Sequence, residues 1–304
     1  MENNSENIKI KRVRLKGNAS FNIREGWLRK GMRALKQDPA LFSNSDAMQV
    51  LGVGSKMVNS IKFWLKATGL VEEKINKNKH ELVFTPDFGE IIYKYDPYFE
   101  DTFTLFLLHS KIVSNKELAI VWHLFFNVFE ATSFTREDMC SVLNNELEKL
   151  MDTECTFSES LLRDDCSSVL KMYVNEDSDS DPEENLNSPF VILNLLRRSQ
   201  TDKNVFEKTA PKFSDVDKLV ILYLMFINKT QNDCISIDDI INKENNAGRI
   251  LNFSRPMINE YLDQLRLKGY IDLNRTAGLD MVYFKDNLSA EQILVDYYTQ
   301  EANL

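Results

Sequence analysis

The 304-residue sequence predicts a mostly α protein with small β wings, in which two winged helix-turn-helix modules flank an all-α middle region. Three observations predict it. Apolar residues recur along most segments at steps of three to four, the period of a helix with one buried face. A stretch beginning at Leu51 returns at Leu251, in register over a shift of 200 residues. Each copy is followed by two short alternating runs joined by polar residues, the pattern of a hairpin.

Residues 8 to 16, IKIKRVRLK, alternate between apolar or β-branched and basic side chains, as a half-exposed strand or arm does. Trp27, Leu28, Met32 and Leu35 then share a helical face, with Arg29, Lys30, Arg33 and Lys36 between them, until Asp38-Pro39 ends the helix. In LGVGSKMVNSIKFWLKATGLV, Ala47 sits in the short helix just upstream, Gly52 makes the turn, and Val53 with Ile61 fills the gap between crossed helices. Met57, Ile61, Trp64 and Leu65 form the buried stripe of the second helix, and Gly69 supplies its left-handed cap. Leu70 to Ile75 and Glu81 to Thr85, joined by Asn76 to His80, complete the wing.

From Asp96 to Val174 four helices are expected, with capping signals at Ser114 with Glu117, Thr135 with Asp138, and Ser158. The stretch from Asn175 to Pro189 contains EDSDSDPEE, six acids and no base, and has almost nothing to bury. It is expected to be an exposed linker. The predicted domains are therefore residues 1–95 (winged helix with a basic arm), 96–174 (helical), 175–189 (acidic linker) and 190–304 (winged helix).

Beyond the linker, Val191 to Arg198 reads as one helix, and Ser214 is placed as the cap of an apolar helix through Asn228. LNFSRPMINEYLDQLRLKGYI repeats the first copy: Leu251, Met257, Asn259, Leu265 and Gly269 stand where Leu51, Met57, Asn59, Leu65 and Gly69 do. Tyr270 to Leu273 and Met281 to Phe284 form its hairpin, and Ser289 with Gln292 opens a last helix.

Hydrophobic residues at 43% and charged residues at 27% describe a folded, soluble protein. Cys140, Cys155, Cys166 and Cys234 form no CxxC pair and have no histidines at metal-ligand spacing, so reduced thiols are expected, with no metal and no disulfide framework. The opening residues lack a signal-peptide core, and the apolar runs Leu118 to Phe129 and Leu219 to Ile227 fall short of the roughly 20 residues that cross a bilayer. A cytoplasmic location and no membrane partner are expected.

The net charge of -9 hides an asymmetry: residues 1 to 70 hold thirteen Lys or Arg against five Asp or Glu. A recognition helix needs an outward face of donors and cations, because phosphates supply affinity and base edges are read by polar side chains. Lys56, Asn59, Ser60 and Lys62 are expected to project away from the buried stripe, with Lys66 one turn on. Lys74, Lys77, Lys79 and His80 lie on the wing, and Arg29, Lys30 and Arg33 are candidates for backbone contacts. Double-stranded DNA is the partner implied. In the second copy Glu260 and Asp263 face outward and the wing carries only Arg275, which suits a partner protein or a homodimer better.

No enzyme chemistry stands out, and no catalytic residue or cofactor is expected. Gly52 to Lys56 lacks the full phosphate-loop spacing. Asp96, Glu100 and Asp101 are explained by helix dipoles, His109 by ordinary packing, and His123 lies within the apolar IVWHLFF.

REGWLRKG from Arg24, LGVGSKMVNSIKFWL from Leu51, DPYFED from Asp96, TLFLLH from Thr104 and FFNVF from Phe125 resemble an uncharacterised bacterial "domain of unknown function" family, from about Phe21 to the final winged helix. Its members lie beside sulfurtransferase-like genes of the PAPS-reductase type, in DNA phosphorothioation or related anti-phage clusters. The resemblance implies a DNA-associated role in genome modification or defence. One departure is Asn18-Ala19-Ser20-Phe21, where the family often has a histidine and an acid. The function expected is a DNA-binding accessory protein that recruits or regulates a partner enzyme. The alternatives are an interaction scaffold without DNA contact, or a regulator of its own operon.

Overall fold

A computed structural model describes residues 13–76, 79–152, 155–175, 188–276, 279–286 and 288–301. Most of the predicted arm, Lys77 and nearly all of the acidic stretch lie outside the described residues.

Gly26, at φ 76°, admits the chain to α1 (Trp27–Gln37). The apolar stripe read from the sequence is its buried face: Trp27, Leu28, Met32 and Leu35 are each at most 6% exposed. A single 3-10 turn at Leu41–Ser43 leads to α2 (Ala47–Leu51), which Gly52 ends at φ 63°. Then come α3 (Ser55–Ala67), stopped by Gly69 at φ 68°, and the antiparallel hairpin of β1 (Val71–Asn76) and β2 (Lys79–Phe84).

After the hairpin, α4 (Gly89–Tyr95) begins hard against it. A Cβ on Gly89 would lie 2.0 Å from the Leu70 carbonyl oxygen, so only glycine fits between helix and strand. Gly89→Ala is expected to destabilise the protein by about 2–3 kcal/mol, as overpacking against an immobile backbone does. Denaturant unfolding checks this; an unchanged midpoint would show that the strand can back away.

The middle contains the four expected helices: α5 (Thr102–Ser114), α6 (Ile120–Asn127), α7 (Arg136–Leu150) and α8 (Glu159–Tyr173). Thr135 and Asp138 form the expected capping box. Ser114 instead closes α5, because the Asn115 side chain accepts from the Leu118 N–H and holds a turn that delays α6 until Ile120. The region is not all-α. A strand, β3 (Ser133–Thr135), precedes α7. Val191 to Arg198 is not one helix either: a 3-10 turn at Pro189–Leu193 is broken by Asn194 at φ 52°, and the chain continues as β4 (Leu196–Arg198) and β5 (Val205–Lys208). These strands form one sheet in the order β3-β5-β4, so residues on both sides of the acidic stretch share it.

The final part runs α9 (Lys218–Ile227), β6 (Cys234–Ser236), α10 (Ile237–Asn242), α11 (Ala247–Ile250), α12 (Arg255–Leu267), β7 (Ile271–Thr276), β8 (Leu279–Phe284) and α13 (Ala290–Glu301). Asp217 caps α9, accepting from Leu219 N–H at 2.7 Å, while Ser214 sits in the preceding 3-10 turn. The expected Ser289 cap is present, its Oγ 3.0 Å from Gln292 N.

The 200-residue repeat is a structural one. α3 and α12 span 55–67 and 255–267, and the hairpins pair Val71 with Phe84 and Ile271 with Phe284 in identical register. A second likeness was not legible in the sequence. The sheet order β6-β8-β7 equals β3-β5-β4, and in both parts a helix, a strand, further helices and a hairpin follow in the same sequence.

α5 and α6 lie at the junction of these parts. Trp122 of α6 meets Trp64 of α3 edge to face at 5.4 Å. His109 of α5, fully buried, accepts from the Tyr173 hydroxyl of α8 at Nδ1 and donates from Nε2 to the Ile250 carbonyl that ends α11, both at 2.8 Å. Thr104 bonds the Tyr298 hydroxyl of α13 at 2.6 Å. His123 is also buried and hydrogen-bonded, its Nδ1 2.8 Å from the Val113 carbonyl. Among the described residues no helix is long and apolar enough to cross a membrane.

Candidate nucleic-acid interface

α3 is covered on more of its circumference than its own apolar stripe requires. Val58, Ile61, Trp64 and Leu65 face the core, and Ser60, Phe63 and Ala67 are buried as well. The additional cover is the segment leading into α1. The Phe21 carbonyl accepts both Ser60 Oγ at 3.0 Å and Trp64 Nε1 at 2.8 Å. The same segment is tied to α8, where Lys16 N–H donates to Asp165 at 2.8 Å and Asn22 to the Ser168 carbonyl at 3.0 Å. Burial raises the Asp165 carboxyl to a pKa of about 6. Ser60, expected on the outward face, is therefore an interior anchor.

What α3 leaves outside is one ridge. Ser55, Lys56 and Asn59 are exposed, and Lys62 and Lys66 are half-buried. Lys56, Asn59, Lys62 and Lys66 follow at steps of three or four and so stand above one another. The upper half of the ridge meets the hairpin. Lys66 pairs with Glu73 of β1 at 2.6 Å and His80 lies 3.1 Å from the same carboxylate, which is held below the usual glutamate range chiefly by the Lys66 hydrogen bond. Lys74 pairs with Glu72 at 2.9 Å. Among the described residues no carboxylate lies within ion-pair distance of Lys56.

The cations of α1 do not join this ridge. Gly31 is the point where α1 presses on α3: a Cβ there would lie 2.6 Å from Leu65 Cδ1 and 3.0 Å from Ile61 Cγ2. Residues two positions away lie about 200° around a helix. Arg29 and Arg33 therefore point to the opposite side, where the Arg29 guanidinium stacks 3.8 Å from the Tyr98 ring centroid. Lys30 is exposed about a quarter-turn from Gly31. Lys79 pairs with Asn76 at the hairpin tip and shares the strand face of Lys74, opposite the face of Glu73 and buried Leu82. Lys77 lies outside the described residues. The structure thus brings together Lys56, Asn59, Lys62 and Lys66, and sets Arg29, Arg33 and Lys79 elsewhere.

The corresponding surface of the C-terminal part is neutralised from within. Arg255 lies 3.2 Å from Asp238 and 3.9 Å from Asp280, and Asp263 is shared by Arg275 at 3.6 Å and Arg266 at 3.8 Å.

A second cationic surface escaped the sequence reasoning. Arg163, Ser167 and Lys171 line one face of α8 at steps of four, Arg136 opens α7 beside them, and Arg198 and Lys203 approach from the β4–β5 hairpin. The spacing on α8 was visible in the sequence. The hairpin that completes the surface was not, because its strands have three and four residues.

Gly52 and Gly54, the glycines of the weak phosphate-loop likeness, end α2 and precede α3, so the stretch is a helix-to-helix turn. Among the described residues no group of three or more His, Cys, Asp or Glu side chains converges as a metal site would.

The family described as "Protein of unknown function (DUF4007)" matches residues 16–298. No curated protein matches the chain. Two solved structures are similar over nearly all of it. One, titled "Magnesium ion-bound SspB crystal structure", has a TM-score of 0.84 at 22% identity and covers 99% of this chain and 91% of its own. The other, "SspB crystal structure", has a TM-score of 0.81 at 20% identity, covering 98% and 97%. At such identities the likeness is one of fold.

Proposed function

The chain belongs to the DUF4007 family of proteins of unknown function, and from that premise we propose that it is a winged-helix protein that binds double-stranded DNA. In this reading it is a cytoplasmic accessory component of a prokaryotic DNA-modification or anti-phage system of the phosphorothioation type, recruiting or regulating a partner enzyme. The fold shared with SspB and the sequence resemblance to families of such clusters support the setting.

The observation that carries the DNA contact is the open ridge of Lys56, Asn59 and Lys62 on α3, beside the β1–β2 hairpin. Two ammonium groups six residues apart, nearly two turns along the helix, suit neighbouring phosphates, and an amide between them offers a donor and an acceptor to base edges. Lys66 is discounted as a phosphate contact, since Glu73 already holds it.

Lys56→Glu with Lys62→Glu is expected to weaken duplex binding by at least about tenfold at moderate salt and to lower the slope of log affinity against log salt by about two. A salt-titrated anisotropy measurement decides it. Wild-type affinity and slope in the folded double variant would remove the reading.

The C-terminal part supports a different role, that of docking a protein. Its outward arginines are already bound to Asp238, Asp263 and Asp280, and Leu267 at the end of α12 is 80% exposed.

A further inference from the structure

We propose that the outer edge of β2 docks a partner protein, which adds a short extended segment of alternating apolar and acidic residues there as a third, antiparallel strand. Each of the other two sheets has three strands, and in each a strand of three residues lies against the central one: β6 on β8 and β3 on β5. Among the described residues the N-terminal sheet has only β1 and β2. A shift of 200 residues lays β8 on β2 and carries Cys234–Ser236 onto Ala34, Leu35 and Lys36, which lie in the last turn of α1. The helix takes up the residues that would have made the strand, and the edge of β2 is left with a substitute.

The substitute is incomplete. Leu82 N–H donates outward to the Pro39 carbonyl at 2.8 Å, and the His80 carbonyl accepts the Ser43 hydroxyl at 2.8 Å. Main-chain directions alternate along a strand, so Leu82 and Phe84 both turn N–H and C=O away from β1. Proline has no N–H to return to the Leu82 carbonyl. In the C-terminal sheet the Phe284 N–H meets the Asp233 carbonyl at 3.3 Å, whereas among the described residues no group accepts from Phe84 N–H. Such an edge is a template for strand addition, in which main-chain bonds supply affinity and alternate side chains supply specificity.

The groove beside this edge has matching chemistry. It lies between the end of α1 and α4, encloses about 760 Å³, and is floored by Leu35, Phe84 and Tyr93, the two rings meeting edge to face at 5.1 Å. Lys36 and Lys94 line it and are exposed, and among the described residues neither has a carboxylate within ion-pair distance. The Lys36 ammonium lies 5.2 Å from the Tyr93 ring centroid and Lys94 donates to the Tyr95 hydroxyl at 3.3 Å, contacts that leave both charges uncompensated. Lys74 also lines the groove but is already held by Glu72. Glu90 is the acid on the rim, so the free charge is positive in excess. An added strand sends alternate side chains to opposite faces, which lets apolar residues cover the floor while acidic ones reach the lysines.

The inference goes beyond the DNA reading and is separable from it. The full chain is titrated against an acetylated hexapeptide of alternating valine and glutamate with a fluorescein at its C-terminus, read by anisotropy. Saturable binding is expected, weakened roughly fivefold or more by Lys36→Glu with Lys94→Glu. Both lysines are exposed, so the thermal midpoint is expected to stay unchanged. If the glutamate pair fails to fold, Lys36→Gln with Lys94→Gln is expected to show the same direction at smaller size. Two further peptides carry N-methyl groups on one or the other alternate set of amides, which keeps every side chain and blocks one edge at a time. One of them is expected to bind roughly tenfold or more weaker than the parent and the other to match it.

Equal affinity of the two methylated peptides would overturn strand addition, as would absence of saturable binding or wild-type binding by the folded lysine variant. Loss of duplex affinity in that lysine variant would assign Lys36 and Lys94 to nucleic acid and overturn the inference as well. The Lys56→Glu, Lys62→Glu variant is expected to bind the peptide as wild type does, so failure of the DNA reading leaves this one standing and the reverse holds too.

Discussion

Replacing His109 by leucine is expected to destabilise the protein by about 2–4 kcal/mol. Leucine nearly matches the volume of the imidazole, so the loss is mostly polar: the Tyr173 hydroxyl and the Ile250 carbonyl, both buried, lose their partner at 2.8 Å. Each such orphan costs roughly 1–3 kcal/mol. Acid should narrow the gap. Burial disfavours the imidazolium and pulls the His109 pKa from 6.5 down to about 4, against a weaker opposing effect of the Ile250 carbonyl. The unfolded chain therefore takes up this proton near pH 6.5 and the folded chain only near pH 4. Between those values the unfolded state binds more protons, so the wild type loses stability as pH falls, by about 3 kcal/mol at roughly 1.4 kcal/mol per unit. The leucine variant lacks that contribution. Urea unfolding at pH 7.5 and pH 4.5 tests both statements, and a difference between the proteins that does not shrink in acid would contradict the protonation argument.

Trp64→Ala is expected to cost about 3–5 kcal/mol, the usual price of emptying a site occupied by a large buried aromatic. Trp64 is 0% exposed, packs edge to face on Trp122 of α6 and Phe63 of its own helix, and binds the Phe21 carbonyl at 2.8 Å. Its loss cuts α3 from the middle of the molecule and from the segment that flanks it. Trp64→Phe keeps most of the ring and loses mainly the hydrogen bond, so about 1–2 kcal/mol is expected. A loss below about 1 kcal/mol in the alanine variant would mean that α3 is held by its own hairpin alone.

Both variants concern contacts between parts distant in sequence, and that is where reading the sequence reached its limit. The α3 and α12 helices with their hairpins were legible in outline, with strand ends within three residues of those found, because a helix of 13 residues, a glycine at its end and a tight hairpin are written locally. The β3-β5-β4 sheet was not. Ser133–Thr135 is too short to show alternation, and the apolar residues before Arg198 follow a pattern that serves helix and strand alike. Burial of Ser60 was hidden for a related reason. Its hydroxyl is satisfied by Phe21, 39 positions earlier, and no local pattern announces that partner. The separation of Arg29 and Arg33 from the α3 ridge was within reach: Gly31, between them, has no side chain to hold another helix off. Of the face expected from the sequence, Lys56, Asn59, Lys62 and Lys66 lie on the outer side of α3 and Ser60 does not, while the pairing of Lys66 to Glu73 needed the hairpin register.

The pairing of β3 with β5 also sets a timetable for synthesis. Thr135 must wait for Val205, about seventy residues later, before its strand finds a neighbour. At ordinary translation speeds of about 5–20 residues per second, the nascent chain spends roughly 4–14 seconds with that edge unmatched on the ribosome. The C-terminal sheet, whose β6 and β8 are separated by fewer residues, closes sooner after its first strand emerges. The middle of this protein is thus the part most dependent on shelter during its own manufacture.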